Sequence, residues 1–192
     1  GLMPSPVFED VDDGIVIQAN RIQKWLWKCW RDFHDNFVPS ILGDQPHHLV
    51  CNGDAIEGIH HGHSTQVHPD ESVHAKMAIE CLEPEAGKAR KVFLVRGTEC
   101  HVKGIESGIG YQIGAEPGDT GYSHDHLLLK IGKAHVSFQH HIGTSSRPWL
   151  GGFQLQASLV EERYRAADRG HPIPDVVVRS HRHVYGMLDA GN

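Results

Sequence analysis

The chain has 192 residues, with 18 Lys and Arg against 24 Asp and Glu, a formal net charge of −6. That length supports one domain or at most two, and the acidic balance argues against holding nucleic acid by bulk electrostatics. No apolar run reaches the roughly 18 residues of a membrane span and no basic-then-apolar leader opens the sequence, so no membrane partner is expected.

The four cysteines, Cys29, Cys51, Cys81 and Cys100, lie far apart with no CxxC pair. A zinc ribbon is excluded and a disulfide framework is not expected, so a reduced, cytoplasmic setting is the default. Seventeen His is several times ordinary usage. Their positions decide between a metal site and a His-rich surface.

Residues 1–17, with Pro4, Pro6 and the acidic run 9–13, read as an extended lead-in. Ile22, Trp25, Leu26, Cys29, Trp30, Phe33 and Phe37 recur at helical spacing and predict an amphipathic helix over 18–36, ended before Pro39. Its tryptophans are expected in the core. His48 to Asn52 is a short apolar strand stopped by Gly53-Asp54, and 58–68 is a Gly/His loop. Pro69 opens a helix over 70–82, stopped by Glu83-Pro84. Lys91 to Arg96 is a second buried strand. The Gly-rich stretch 103–123 holds a short helix near 105–114. Strands over 126–131 and 134–139 flank the Gly132-Lys133 turn. Leu150 to Ala167 forms a further amphipathic helix, ended by Gly170 and two prolines. Asp175 to Arg179 is a third buried strand. Helices alternating with continuously apolar strands indicate an α/β sheet covered on both faces.

Polar clusters follow the strands directly. Gly53-Asp54-Ala55-Ile56-Glu57 follows the first, Gly97-Thr98-Glu99-Cys100-His101 the second, His140-His141 the strand over 134–139, and His181-Arg182-His183 the last. Open α/β sheets bind ligands outside the carboxyl ends of their strands. Carboxylate and imidazole in one crevice suit Mn, Fe, Zn or Ni. His61-Gly62-His63 and His124-Asp125-His126 are not at the ends of buried strands and read as solvated loop. Of His140 and His141, one points inward, because side chains alternate along a strand.

The order Gly-Asp-x-x-Glu, a strand with a Gly-Asn-His-like segment, a strand ending in His, then a His-x-His pair resembles the calcineurin-like metallophosphoesterases. The lead-in Gly1-Leu2-Met3-Pro4, the helix around Trp25-Leu26-Trp27 and the run Arg96-Gly97-Thr98-Glu99 look like a bacteriophage or prophage branch of that superfamily. The resemblance implies a single domain over 1–192, a four-layer α/β sandwich. It lacks its first and last strands here and looks clipped at both ends. It implies two divalent ions, Mn favoured, that activate a water for phosphoester hydrolysis. Asp54 would bridge the ions, with His140, His181 and His183 as further ligands. Glu57, His61, Arg147 and Arg182 are candidate substrate contacts.

Two departures carry expectations. The family's Asp-x-His pair is absent and is expected just upstream of Gly1. The family's Gly-Asn-His becomes Gly97-Thr98-Glu99-Cys100-His101, so Glu99 or Thr98 takes the ligating Asn position, and His101 becomes the general acid. The expected function is metal-dependent hydrolysis of a phosphodiester, nucleotide or nucleic-acid substrate. The alternative is a non-catalytic phage-derived binding or assembly protein that retains the fold. A His-rich metal-sequestering protein is disfavoured, because the key residues sit at strand ends.

Overall fold

The computed structural model describes residues 6–58, 66–99, 104–143, 151–182 and 185–189. The lead-in is not merely extended. Strands β1 (Val7–Asp10) and β2 (Ile15–Gln18) form an antiparallel hairpin. Phe8 is buried with Ala19, Val73 and Met77, which fixes the hairpin on helix α3 (Glu71–Ala86). Lys76 of α3 completes the attachment, reaching Asp10 at 2.5 Å and Asp13 at 2.9 Å.

Helix α1 (Arg21–Asp32) starts later than its apolar spacing suggests, because Asn20 caps it. Asn20 Oδ1 accepts from the amides of Ile22 and Gln23, and Gln23 Oε1 accepts from the Asn20 amide, each at 2.9 Å. This reciprocal capping box satisfies amides that a helix end leaves open. The helix also runs past its expected stop. A π-helical turn over Phe33–Phe37 leads into α2 (Val38–Leu42). Pro39 stands in the first turn of α2, where its missing N–H costs little. Pro84 likewise lies inside α3, near its last turn, and does not end it.

Strand β3 (His48–Asn52) pairs in parallel with β4 (Lys91–Val95), Asn52 opposite Val95. Alternation sorts their side chains. Leu49, Cys51 and Val92 pack with Ala78 and Leu82 of α3 and with Ile109 of α4 (Ile105–Gln112). Val50, Phe93 and Val95 pack with Leu127, Leu129 and Phe138 of a second sheet. In that sheet β5 (Leu127–Ile131) is antiparallel to β6 (Ala134–Gln139), and β6 is parallel to β7 (Val176–Arg179). Helix α5 (Gly151–Asp168) contacts β7, where Arg179 donates to Glu162 at 2.8 Å with both side chains buried.

The architecture is thus mixed α/β, built from small sheets and helices. It differs from one sheet with helices on both faces. The strands of the core divide between two sheets, and β3 and β4 read as continuously apolar because one face meets helices and the other meets strands. One further expectation is corrected: Trp25 is 62% exposed, not core. His126 is exposed and lies just outside β5, as expected of a loop residue, yet it has partners. His126 Nε2 lies 2.7 Å from Glu162 and 2.9 Å from Ser137, between β5 and α5. No helix among the described residues is long and apolar enough to cross a membrane.

A cavity of about 770 Å³ opens between α1, β3 and α3. Four consecutive residues of β3, Leu49 to Asn52, line it. Among the described residues β3 pairs only with β4. Trp30 Nε1, Asn52 Oδ1 and His74 Nδ1 also border this cavity, and each is buried without a hydrogen-bond partner.

Phe93 joins the two sheets, so Phe93→Ala should cost about 3–5 kcal/mol through lost burial and the void left behind. Urea unfolding of both proteins measures it. A loss below about 1 kcal/mol would mean that the sheets do not depend on this contact.

Candidate metal centre

The parallel pairs β3–β4 and β6–β7 each place two carboxyl ends on one side, and the stacked sheets bring all four ends together. Asp54 follows β3, Thr98 follows β4, His140 follows β6 and His181 follows β7. Asn52 Nδ2 donates to Ser180 Oγ at 2.8 Å and links the first sheet's end to the second's.

His140 is 2% exposed. Its Nδ1 lies 2.8 Å from the Asn52 carbonyl oxygen. A carbonyl only accepts, so Nδ1 carries the proton and Nε2 is left to face Asp54 Oδ2 at 2.9 Å and His181 Nδ1 at 3.3 Å. One donor atom from each of Asp54, His140 and His181 lies within 4.8 Å of the others. Three lone-pair groups aimed at one point repel unless a cation sits among them. A proton on His140 can serve as that cation. Burial pushes the His140 pKa down, but the bonds to Asp54 and Asn52 and the charges of Asp54 and Glu106 outweigh it, and the pKa lies above its ordinary value. His141 behaves oppositely. Partial loss of hydration against its neighbours, then repulsion from His140 and His181, lowers its pKa although its surface is largely exposed.

The backbone is forced at this point. Asp54 and His181 are the described non-glycine residues with positive φ, at 51° and 50°. Such conformations cost of order 1–3 kcal/mol each and persist only where the surroundings impose them. Two glycines make room. A Cβ on Gly53 would stand 2.6 Å from His140 Cγ, and one on Gly97 would overlap the Asp54 backbone and carboxylate.

Glu106, fully buried in α4, clamps the two loops. Its Oε1 accepts from the Ala55 amide at 2.9 Å and its Oε2 from the Gly97 amide at 2.7 Å. Burial raises its pKa, and the two amide bonds pull the other way. The Thr98 amide donates to Asp54 Oδ1 at 2.7 Å, leaving Oδ2 for His140. Thr98 Oγ1 meets His181 Nδ1 at 3.1 Å.

Of the expected site residues, the structure brings together Asp54, His140 and His181. It buries His140 and leaves His141 exposed, with the His141 ring centroid 5.1 Å from that of His181. Glu99 is exposed and is not in the cluster; Thr98 occupies the place beside Asp54 and His181. Glu57 borders the cavity beside Asp54, and Arg182 is half-buried next to His181. His101, His183, His61 and Arg147 lie outside the described residues. Glu106, Thr98 and Asn52 are the site residues whose roles spacing does not reveal. A helix-borne Glu in a Gly-rich stretch carries no signal of its own, whereas a polar residue ending an apolar strand, as Asn52 does, is a faint one.

No protein-family model, no curated protein and no solved structure matches the chain.

Glu106→Gln turns one acceptor into a donor facing an amide, and should cost about 1–3 kcal/mol. An unchanged urea midpoint would remove the clamp. The His140 pKa is raised on folding, so its contribution to metal-free stability is complete below its ordinary pKa of about 6.5. It is lost as pH rises through the folded value. The stability gap between wild type and His140→Gln, measured without metal, should therefore narrow from about pH 6 to pH 9. A gap that widens with pH contradicts the Asp54–His140 pairing.

Proposed function

We propose that the protein is a metal-dependent phosphoesterase, acting on a phosphodiester or nucleotide-like substrate. The convergence of Asp54 Oδ2, His140 Nε2 and His181 Nδ1 at the ends of parallel strands is the observation that supports it. Mixed carboxylate and imidazole donors suit Mn, Fe, Zn or Ni, and a donor set of one carboxylate with two imidazoles fits such an ion. A divalent ion held there would supply Lewis acidity toward a phosphoryl oxygen and a water of lowered pKa.

This chain's residues prepare that site. Asn52 fixes the His140 tautomer through its carbonyl, a bond that orients ligating imidazoles in general. Thr98 holds one oxygen of Asp54 so that the other points at the histidines. Glu106 holds the Asp54 loop and the Gly97 loop at a fixed separation. His101 takes the role of general acid, and Arg182 that of a contact to the phosphoryl group.

The proposal includes the four-layer form of the fold: α3 and α4, the β3–β4 sheet, the β5–β7 sheet, then α5. A further strand seated along the open edge of β3 would fill the 770 Å³ cavity and end beside Asp54. An Asp-x-His pair at that end would give a second ion its ligands, the two-ion arrangement of such hydrolases.

The protein with Mn should hydrolyse bis-(p-nitrophenyl) phosphate, and EDTA should stop it. Asp54→Asn should abolish turnover and weaken Mn binding together. His101→Ala should slow a substrate with a poor leaving group about 10²–10⁴-fold, and nitrophenolate release much less. Tight Mn binding without hydrolysis of any phosphoester would favour the binding-protein reading. Equal loss with both leaving groups would reject the acid role of His101.

A further inference from the structure

The segment from α1 to α2 carries an apolar stripe that the described residues leave largely exposed. Ile22, Trp25, Phe33, Phe37 and Ile41 recur at helical spacing and are 47% to 68% exposed. Exposed Cys29 lies between them. The opposite side of the same segment is the attached one. There Gln23 is buried, Trp30 packs on the core, and Arg31 and His34 reach Glu85. The apolar face of this segment is therefore wider than its seat. Phe33 and Phe37 stack with centroids 5.4 Å apart, so the stripe continues unbroken across the π-helical turn.

At these exposures each large side chain offers on the order of 100 Å², giving roughly 500–600 Å² in one strip. Scattered surface apolar residues are ordinary, but contiguous patches of a few hundred Å² mark contact surfaces. Two such strips facing one another would bury about 1,000–1,200 Å², the lower end of specific interfaces.

Charge indicates what faces it. The first half of the segment is basic, with Arg21, Lys24, Lys28 and Arg31, and no acid in its first turn. The later part carries the acids Asp32 and Asp35, of which Asp35 is paired with Arg31 one turn before it in the same helical segment. This order opposes the helix dipole, which favours acids at the start and bases at the end. The intrahelical Arg31–Asp35 pair accounts for Asp35, but the dipole does not account for Arg21, Lys24 and Lys28 at the start with Asp32 at the end. Helical spacing places Arg21, Lys28, Asp32 and Asp35 along one flank of the stripe. In an antiparallel pair of identical helices each flank meets the same flank of the other copy, reversed. The basic half of one copy then lies against the acidic half of its partner.

We propose that this stripe is the interface of a twofold homodimer, formed by antiparallel packing of the α1–α2 segments of two copies. Isologous contacts of this kind are the commonest form of self-association. A membrane surface is the less suitable occupant, because Asp32 beside the stripe would face anionic headgroups.

Sedimentation velocity on the full chain at about 100 μM should show a dimer, the association expected of a small interface with micromolar affinity. Trp25→Glu should give a monomer with an unchanged circular dichroism spectrum. Lys28→Asp and Asp32→Lys sit at exposed positions and each should weaken dimerisation about tenfold or more, a shift of about 1.4 kcal/mol. The double variant should recover most of that loss. A monomer at the highest concentration overturns the proposal, as does a dimer that Trp25→Glu leaves intact or a double variant weaker than both singles. A monomer that pellets with phosphatidylserine vesicles would also overturn it, and assign the stripe to a lipid surface.

Discussion

The candidate site depends on one buried carboxylate. Glu106 takes a backbone amide from the loop after β3 and another from the loop after β4, at 2.9 and 2.7 Å. Those loops must touch. Gly97 has no side chain where one would strike Asp54, and the Thr98 amide then binds Asp54 Oδ1. The carboxylate of Asp54 is thereby turned toward the second sheet. A buried acid with only two neutral donors is costly, and its raised pKa reflects that cost. The expense is understandable if the loops must be held against the repulsion that builds up on the far side of Asp54.

That repulsion is what the proposed function rests on. Asp54, His140 and His181 present lone pairs to a shared point, and two of the three residues hold positive φ to do so. The Asn52 carbonyl removes the alternative His140 tautomer. The convergent lone pairs and the two positive-φ residues cost folding energy, and neither improves packing. A cation returns that energy, whether a proton on His140 or a divalent ion. Strain collected at ligating residues is the pattern expected of a binding centre.

Much of this was legible in the sequence. The apolar strands 48–52, 91–95 and 176–179 could be found from their runs of apolar residues, and a polar cluster follows each within a few positions. Parallel pairing then places those ends together, which is why Asp54, His140 and His181 could be picked without coordinates. Periodicity misled where it reports a face but not its neighbour. The Trp25 stripe is apolar by spacing, yet nothing among the described residues covers it. Proline misled where it fell in a helical first turn or within a turn of the end, at Pro39 and Pro84, positions at which its missing donor is tolerated. Glu106 was not legible and Thr98 stood only as the alternative to Glu99, because their roles arise from loop contacts between residues 9 to 83 positions apart. The choice between Thr98 and Glu99 beside the cluster was likewise a matter of loop register, which spacing leaves open.

Diffraction from crystals grown with Mn, with data collected at the Mn absorption edge, tests the central claim most directly. The account predicts an anomalous peak about 2.0–2.2 Å from Asp54 Oδ2, His140 Nε2 and His181 Nδ1 together, distances ordinary for N and O ligands. It also predicts no such peak in Asp54→Asn crystals. An ion bound elsewhere, or the three side chains found paired with one another in the presence of saturating Mn, would contradict it.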